Sequence, residues 1–583
     1  MLLNGSQLNG APLNGAFAQA IPGEAVLVDP AVSILWGARV MLGGVDISAS
    51  LTGSIRIERE EGASTLADLV ISLDAGSVNP ASYIGKAVEI YYQLWTGSGW
   101  AEHLRFTGQV IRPQYSMQER LLSCDCSDRL QDAIEALTVA QVDTLAGGQW
   151  SADLFESPEG RSRWDYAQER MSTQAASLQK SVSGVLQVTP WAATAPAFVF
   201  PVGSVLDQSM DWIPVELSER VNVVELELDY RFIRLRQRHQ SFAWQHPDII
   251  DSSIGGGFCL WRGDSTELPD IEMVTAACTG AGYQSILDGV EWLRLPPSGV
   301  YCDPPAAWGN IYLDLLLGGL WTAARRWSQP VTEQYKLRIE APASIAQAGE
   351  LIRRDSITVE TESDREAEFE GATYTTTEAD AVQDALGDWV VDLRDSPRLE
   401  GAAVIGVSMA RVQVLAAHRA NRLSFQLPTA DTLGVRLEHT LRVEDVIGDQ
   451  AVRCQAKLAS LIDEWDFDTG EAITTLLLAV SQGGGDVTDP ATAPAPPPST
   501  PAGSVPILIT LSTQLGGRNT SPVYDPELLG FSGNYSVTTA GVEPFPREFK
   551  VEMPEIPADH QDDYQVVSNK TYRVAIPNDL LEL

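Results

Sequence analysis

The sequence predicts a mainly β protein with minor α content: two β-barrel-like domains, an inserted irregular or β segment, and a small C-terminal β-domain. Three observations predict it. Apolar and polar residues alternate with period two along much of the chain, as in Ile55 and Ile57 against Ser54, Arg56 and Glu58, or Val88, Ile90, Tyr92 and Leu94 against Glu89, Tyr91 and Gln93. Such alternation marks strands with one buried face. Gly and Asn-Pro turns break these runs at short spacing, which suits a closed or nearly closed barrel. Helical spacing appears in only a few places.

Residues 1–30 form an arm. Leu-Asn-Gly occurs there three times at a strict period of five, as Leu3-Asn4-Gly5, Leu8-Asn9-Gly10 and Leu13-Asn14-Gly15. Asn-Gly favours turns with positive φ at both central residues. The resulting ribbon is too small to bury a core of its own and is expected to lie along another surface; a disordered tail is the alternative. Residues 31–145 form the first barrel-like domain, with Leu69, Ile71 and Leu73 on one face of a strand. Ser127 offers an N-cap, and Leu130, Ala133, Ile134 and Leu137 give a helix that ends or surfaces near Gln141.

Residues 146–240 read as a helical bridge followed by long strands. Trp164, Ala167, Met171, Ala175, Leu178 and Val182 predict a second helix. From Val224 to Tyr230 the even positions are apolar, and after Phe232 the apolar residues are Ile233 and Leu235, so a bulge or turn is expected near Phe232. Arg231, Arg234, Arg236 and Arg238 form a basic stripe, expected to meet carboxylates rather than a phosphate backbone. Residues 241–350 are a Trp-rich insert, irregular in pattern. Residues 351–482 form the second barrel-like domain, with a helix over Glu378–Leu393 built on Val382, Leu386, Trp389 and Leu393. Residues 483–503 are a Pro- and Gly-rich linker, extended and semi-rigid, and residues 504–583 a C-terminal β-domain.

The chain has 78 acidic and 40 basic residues, a net charge of −38, which disfavours nucleic-acid binding and suits a conduit that DNA traverses without sticking. No apolar run approaches the roughly 18 residues of a membrane span, and the start lacks a secretory pattern, so stable membrane insertion is not expected. Cys124 and Cys126 share a strand face; Cys259, Cys278 and Cys302 fall in one region and have the residue types for a cluster or one disulfide. Reduced, partly buried thiols are the expectation, with no metal and no cofactor.

Catalytic patterns are missing: there is no H-E-x-x-H, G-x-S-x-G, Walker A or dinucleotide fingerprint. His239 and His246 are spaced for neither a zinc helix nor a strand pair. Asp463, Glu464, Asp466 and Asp468 around Trp465 superficially resemble a sugar site but read better as a solvated turn between strands. Arg262-Gly263-Asp264 and the acceptor-type triplets at Asn519, Asn534 and Asn569 carry no weight on their own. No enzyme activity is expected.

The arm, the strand run VDISASLTGSIRIEREEGASTLADLVISL, the segment FTGQVIRPQYSMQERLLSCDCSDRLQDAI and the closing strand FDTGEAITTLLLAVS together resemble the baseplate hub, or tail-tip, proteins of long-tailed (siphovirus-like) bacteriophages. The resemblance covers roughly 30–140 and 380–480. It implies tube-forming hub domains and a homotrimer, in which two barrels per chain make a pseudo-sixfold ring continuing the tail tube around an acidic lumen for DNA passage. The implied partners are the distal tail or tail-tube protein, the tape measure protein, and central-fibre or receptor-binding proteins. The implied place is the virion tail tip, with the host cytoplasm during assembly. A receptor- or carbohydrate-binding tail protein is the alternative, and a cell-wall or polysaccharide hydrolase a weaker one.

Overall fold

Two large sheets organise the described residues, and the long helix Ser396–His418 packs against the second. The structure, a computed structural model, describes residues 2–3, 6–7, 25–28, 34–74, 76–247, 249, 267–300, 307–308, 313–370, 374–496, 508–516, 523–534 and 545–583. The fold is mainly β with a few helices.

The first sheet has 15 strands. Its main path runs Asp211–Ile213, Asn421–Pro428, Ala472–Val480, Gln450–Asp466, Leu51–Glu60, Leu66–Ser72, Leu121–Ser127, Trp100–Ser116, Ala87–Trp95, Trp36–Leu42 and Val45–Asp46. The two regions predicted as barrels are therefore one continuous sheet, joined where Leu51–Glu60 pairs antiparallel with Gln450–Asp466. Among the described residues no pairing joins the two ends of this path, so the wall is a curled half-barrel and not a closed barrel. It carries two cores. One gathers Val40, Ile55, Ile57, Leu69, Ile90 and Phe106, and it receives Trp465 from the distant strand. The other is built from Leu423, Phe425, Leu441, Leu458 and Leu476. Trp465 packs edge-on against Tyr92 at 5.3 Å, so the strand from the second region helps fill the core of the first.

The second sheet is built on a long antiparallel pair, Val223–Gln245 with Leu316–Glu340. Its register runs unbroken from Val223↔Glu340 to Gln245↔Gly318, so the expected bulge at Phe232 is absent. The apolar positions change face because the covering elements change. Up to Phe232 the even residues pack under the helix Ser396–His418, whereas Leu235 on the other face meets Phe369 and Val391. The region read as an irregular insert thus supplies one of the two longest strands, Leu316–Glu340.

Residues beyond 504 do not make a separate sheet among those described. Ile509–Gly516 adds in parallel to the first long strand, Tyr564–Arg573 in parallel to the second, and Leu580–Glu582 joins the first sheet beside Gln450–Asp466. Of the Pro- and Gly-rich stretch, residues 483–496 are described, and they lie against this structure. Ile576 N–H bonds Gly484 O, Asp489 accepts from Arg573 N, and Ala491 and Ala493 pack on the core beneath.

Ser396–His418 is capped by Asp395, which accepts from Arg398 N–H, with Pro397 in the first turn. It is long and apolar enough to cross a membrane, but its apolar residues Leu399, Ala403, Val407 and Val414 are core. Gly406 makes the close approach possible: a Cβ there would meet Leu226 Cδ2 at 2.8 Å and Ile357 Cδ1 at 2.9 Å.

The helix expected over Glu378–Leu393 is replaced by two short strands, Val382–Gln383 and Trp389–Asp392, around a tight turn. Asp384 Oδ1 accepts from Leu386 N–H and Asp388 N–H, and Gly387 sits at φ 84°. The carboxylate takes the amides a helix would have needed. The second helix stops at Met171, because the hydroxyls of Ser172 and Thr173 turn back to the carbonyls of Glu169 and Arg170; the rest of the predicted stretch pairs as the hairpin Ala176–Lys180 with Leu186–Pro190. The first helix, Leu130–Glu135, begins after Arg129, two residues beyond Ser127, whose hydroxyl accepts from Arg129 N–H. Gln141 opens a further helix, Val139–Ala146, through a capping box with Thr138.

Candidate functional site

The inner face of the first sheet carries two arginines and an aspartate: alternation places Arg59 and Asp463 there, and the register shift beside Phe106 brings Arg105 in. Asp463 stands opposite Thr474 on one neighbouring strand and Ile57 on the other, and Arg59 lies two residues along from Ile57. Arg105 reaches in from Trp100–Ser116, four places away in the strand order. Asp463 is 0% exposed. Its Oδ2 accepts from Arg59 Nη2 at 2.9 Å and Arg105 Nε at 3.0 Å, and its Oδ1 from Arg105 Nη2 at 2.8 Å and Thr474 Oγ1 at 2.6 Å. Backbone carbonyls take up further donors, Arg105 O from Arg59 Nη2 and Thr432 O from Arg105 Nη1. Burial pushes the Asp463 carboxyl up, but the two guanidiniums and the hydroxyl pull harder, and its pKa lies below the ordinary value. This strut spans the curl where backbone pairing does not. Asp463 is thus no part of a solvated turn; only Asp466 and Asp468 follow that expectation, with Asp466 Oδ1 capping the turn amides of Asp468 and Thr469.

Arg234, Arg236 and Arg238 of the basic stripe meet carboxylates, as the acidic composition suggests. Arg234 is bidentate to Asp392, Arg238 is bidentate to Asp388, and Arg236 Nη1 bonds Asp384 Oδ2 at 2.7 Å and contacts His560 Nδ1 at 2.7 Å. Asp384, Asp388 and His560 have the donor set and proximity for a metal ion. The guanidinium of Arg236 already bonds Asp384 and contacts His560, so the cation of this cluster is an arginine. His239 and His246 form no joint site; burial, helped by Arg326, lowers His239 to about 4 and keeps it neutral.

Cys124, Cys126, Cys278 and Cys454 are free and buried. Burial raises the thiols of Cys124 and Cys278 to about 11 and that of Cys454 to about 12, so they stay protonated and unreactive. Cys259 and Cys302 lie outside the described residues.

Of the arm, Leu2–Leu3 pairs antiparallel with Ser6–Gln7, in the register Leu3↔Ser6. Asn4, Gly5, Leu8, Asn9, Gly10, Leu13, Asn14 and Gly15 lie outside the described residues. The arm enters the fold at Val26, whose N–H bonds Ala197 O.

One cavity, about 210 Å³, opens where both regions of the first sheet, the end of the long helix and the Ala176–Pro190 hairpin converge. Glu61, Arg419, Arg422, Ser177 and Trp191 line it. Arg419 Nη2 lies 2.6 Å from Glu61 Oε2, and its guanidinium stands 5.5 Å from the Trp191 ring centre. For Arg59 the sequence carried a signal, a charged residue on the apolar face of an alternating strand beside Ile55 and Ile57; Arg105, at a register shift, and the Arg419 group carried none.

No family model and no curated protein matches the sequence. Solved structures similar to this chain include tail proteins and a type VI secretion component. The tail protein from Neisseria meningitidis MC58 is 10% identical over 76% of this chain and 96% of its own, with a TM-score of 0.36. The 43 kDa tail protein of prophage MuSo2 from Shewanella oneidensis is 10% identical over 76% and 96%, with a TM-score of 0.35. The E. coli c3393 protein, a component of the type VI secretion system with structural similarity to T4 bacteriophage tail proteins gp27 and gp5, is 6% identical over 78% and 79%, with a TM-score of 0.27.

Proposed function

We propose that the chain is a structural hub protein of a phage tail tip, acting as a homotrimeric ring that continues the tail tube and anchors central-fibre and other baseplate proteins. The observation that carries the reading is the continuous first sheet. It fuses two curled walls, each with its own core, across the Leu51–Glu60 and Gln450–Asp466 seam. Three copies of such a doubled wall would present six similar faces to a hexameric tube, a symmetry match that a single-walled subunit lacks. The net charge of −38 supports a lumen that DNA passes without adhering. The Leu-Asn-Gly arm is the assembly segment in this reading, with Leu3, Leu8 and Leu13 as its anchors. No catalytic role is assigned. Native mass measurement tests the ring: a trimer is expected, and a monomer with a positively charged channel overturns it.

One observation favours a second reading, a carbohydrate-binding tail protein. Trp95 and Trp100 stand 5.4 Å apart, edge to face and 37% and 45% exposed, at the end of a hairpin. Loss of glycan-array binding on Trp100→Ala would support it; an array silent for the unaltered protein would remove it.

A further inference from the structure

The second sheet leaves one long edge bare. Ile352–Glu360 runs parallel to residues 223–231 in an unbroken register of 9 residues, and among the described residues it pairs with nothing on its other side. The N–H of Thr361 bonds Arg231 O, so odd positions face the sheet and even positions face out. The N–H and C=O of Arg354, Ser356, Thr358 and Glu360 therefore line the open edge, and all four residues are exposed. Such edges attract stray strands, and proteins blunt them with proline, bulges, charges or cover. Two other strands are treated that way. Beyond Gln109, Trp100–Ser116 pairs on one side only, and there it carries Pro113 and a register shift. Tyr564–Arg573 is met at its end by Asp489, which accepts from Arg573 N–H and donates its own N–H to Arg573 O. Ile352–Glu360 has neither proline nor shift. Its charges, Arg353 and Arg354 against Asp355 and Glu360, balance locally in a chain of net charge −38.

The order of those charges matches a reversed copy of the same strand. With a second copy laid antiparallel and Ile357 opposite Ile357, Arg354 faces Glu360 at both ends and Ser356 faces Thr358 twice. Outward positions then meet outward positions, as an antiparallel ladder requires, for about eight backbone hydrogen bonds. Opposite charges and hydroxyl pairs directly across a ladder stabilise it. Centring the pair on any other residue of the strand takes Glu360 away from Arg354. Both groups are available. The Arg354 side chain is 77% exposed and engages only through Nε, on Glu225 Oε2 at 2.9 Å; Glu360 has no ion pair among the described residues. We propose that two copies of the chain join along this edge, extending the second sheet across a two-fold axis at Ile357. The inference goes beyond the ring and does not require it: the two-fold contact alone makes a dimer, and combined with a three-fold ring it makes an assembly of two rings.

Native mass measurement on the full chain at micromolar concentration should show even-numbered species, dimers or paired trimers; monomers or single trimers alone overturn the proposal. Arg354→Glu and Glu360→Arg should each weaken the even-numbered species about tenfold or more, because like charges replace both opposite pairs. The double variant, Arg354→Glu with Glu360→Arg, should restore them. A second check leaves the charges alone. Ile357 opposite itself is a non-hydrogen-bonded pair with Cα atoms about 4.5 Å apart, within the reach of a disulfide. Ile357→Cys should therefore give a disulfide-linked dimer under mild oxidation that the unaltered protein does not form, whereas Ser356→Cys, which faces Thr358, should not. An unrestored double variant, or cross-linking that is absent or no stronger at 357 than at 356, overturns the proposal. Native mass also separates the two readings. A dimer with no multiple of three removes the ring alone, and a trimer that never pairs removes this inference alone.

Discussion

Both sheets are tied by two buried arginines meeting aspartate, yet the ties are built differently. In the first sheet one carboxylate, Asp463, serves two guanidiniums, and the surplus positive charge is met by backbone carbonyls. All three side chains are nearly sealed from water. In the second, two carboxylates of one tight turn meet Arg236 and Arg238, and His560 stands at the rim with a side chain 16% exposed. The sealed tie joins strands far apart in sequence and substitutes for backbone closure of the half-barrel. The rimmed tie fastens a turn and the 558–560 segment to a ladder that is already continuous. A strut that replaces backbone hydrogen bonds should matter more than one that supplements them.

The first way to break that contrast is Asp463→Ala. It leaves two buried guanidiniums facing each other and should cost about 3–5 kcal/mol, read as a drop in urea midpoint; a loss under 1 kcal/mol would reduce the strut to filler. The same cluster sets an acid limit. Because the native pKa of Asp463 is depressed, its contribution is fully present above the unfolded value of about 4 and is lost as pH falls through the lower native value. Unfolding free energy measured from pH 7 to pH 2 should therefore fall less steeply below pH 4 in Asp463→Ala than in the unaltered protein. Asp388→Ala leaves Asp384 to hold Arg236 and should cost about 2 kcal/mol, and it should free the 558–562 turn to faster hydrogen exchange before any global change. Arg112→Ala is the baseline: its bond to Asp125 is made by a side chain 70% exposed, and the change should stay below about 1 kcal/mol.

The β class, the strands with clean alternation and the closing strand Ala472–Val480 were legible in the sequence because one buried face imposes period two. Asp463 was legible too, since Leu461 and Trp465 flank it on the same face; counting it among neighbouring acids hid the alternation. The turn at Asp384–Asp388 carried its own signal, an aspartate with glycine three residues on, but the spacing of Val382, Leu386, Trp389 and Leu393 mimicked a helix. What no local pattern encodes is partnership between distant segments: that Arg105 crosses the curl, that Gln450–Asp466 continues the N-terminal strands, or that the 564–573 strand lies in parallel on 331–340. The cavity at Arg419 needed four separate segments to meet, and nothing in any one of them announces it.

The parallel strand Tyr564–Arg573 also sets a timetable. A ribosome emits residues at about 5–20 per second, so the edge of Leu316–Glu340 that this strand will cover stays open until residues 564–573 have emerged. An uncovered ladder of that length is a template for stray pairing. The newborn chain therefore passes through an interval in which its longest strand pair is exposed along one side, and a partner that shields that side during translation would raise the yield of folded protein without touching its final stability.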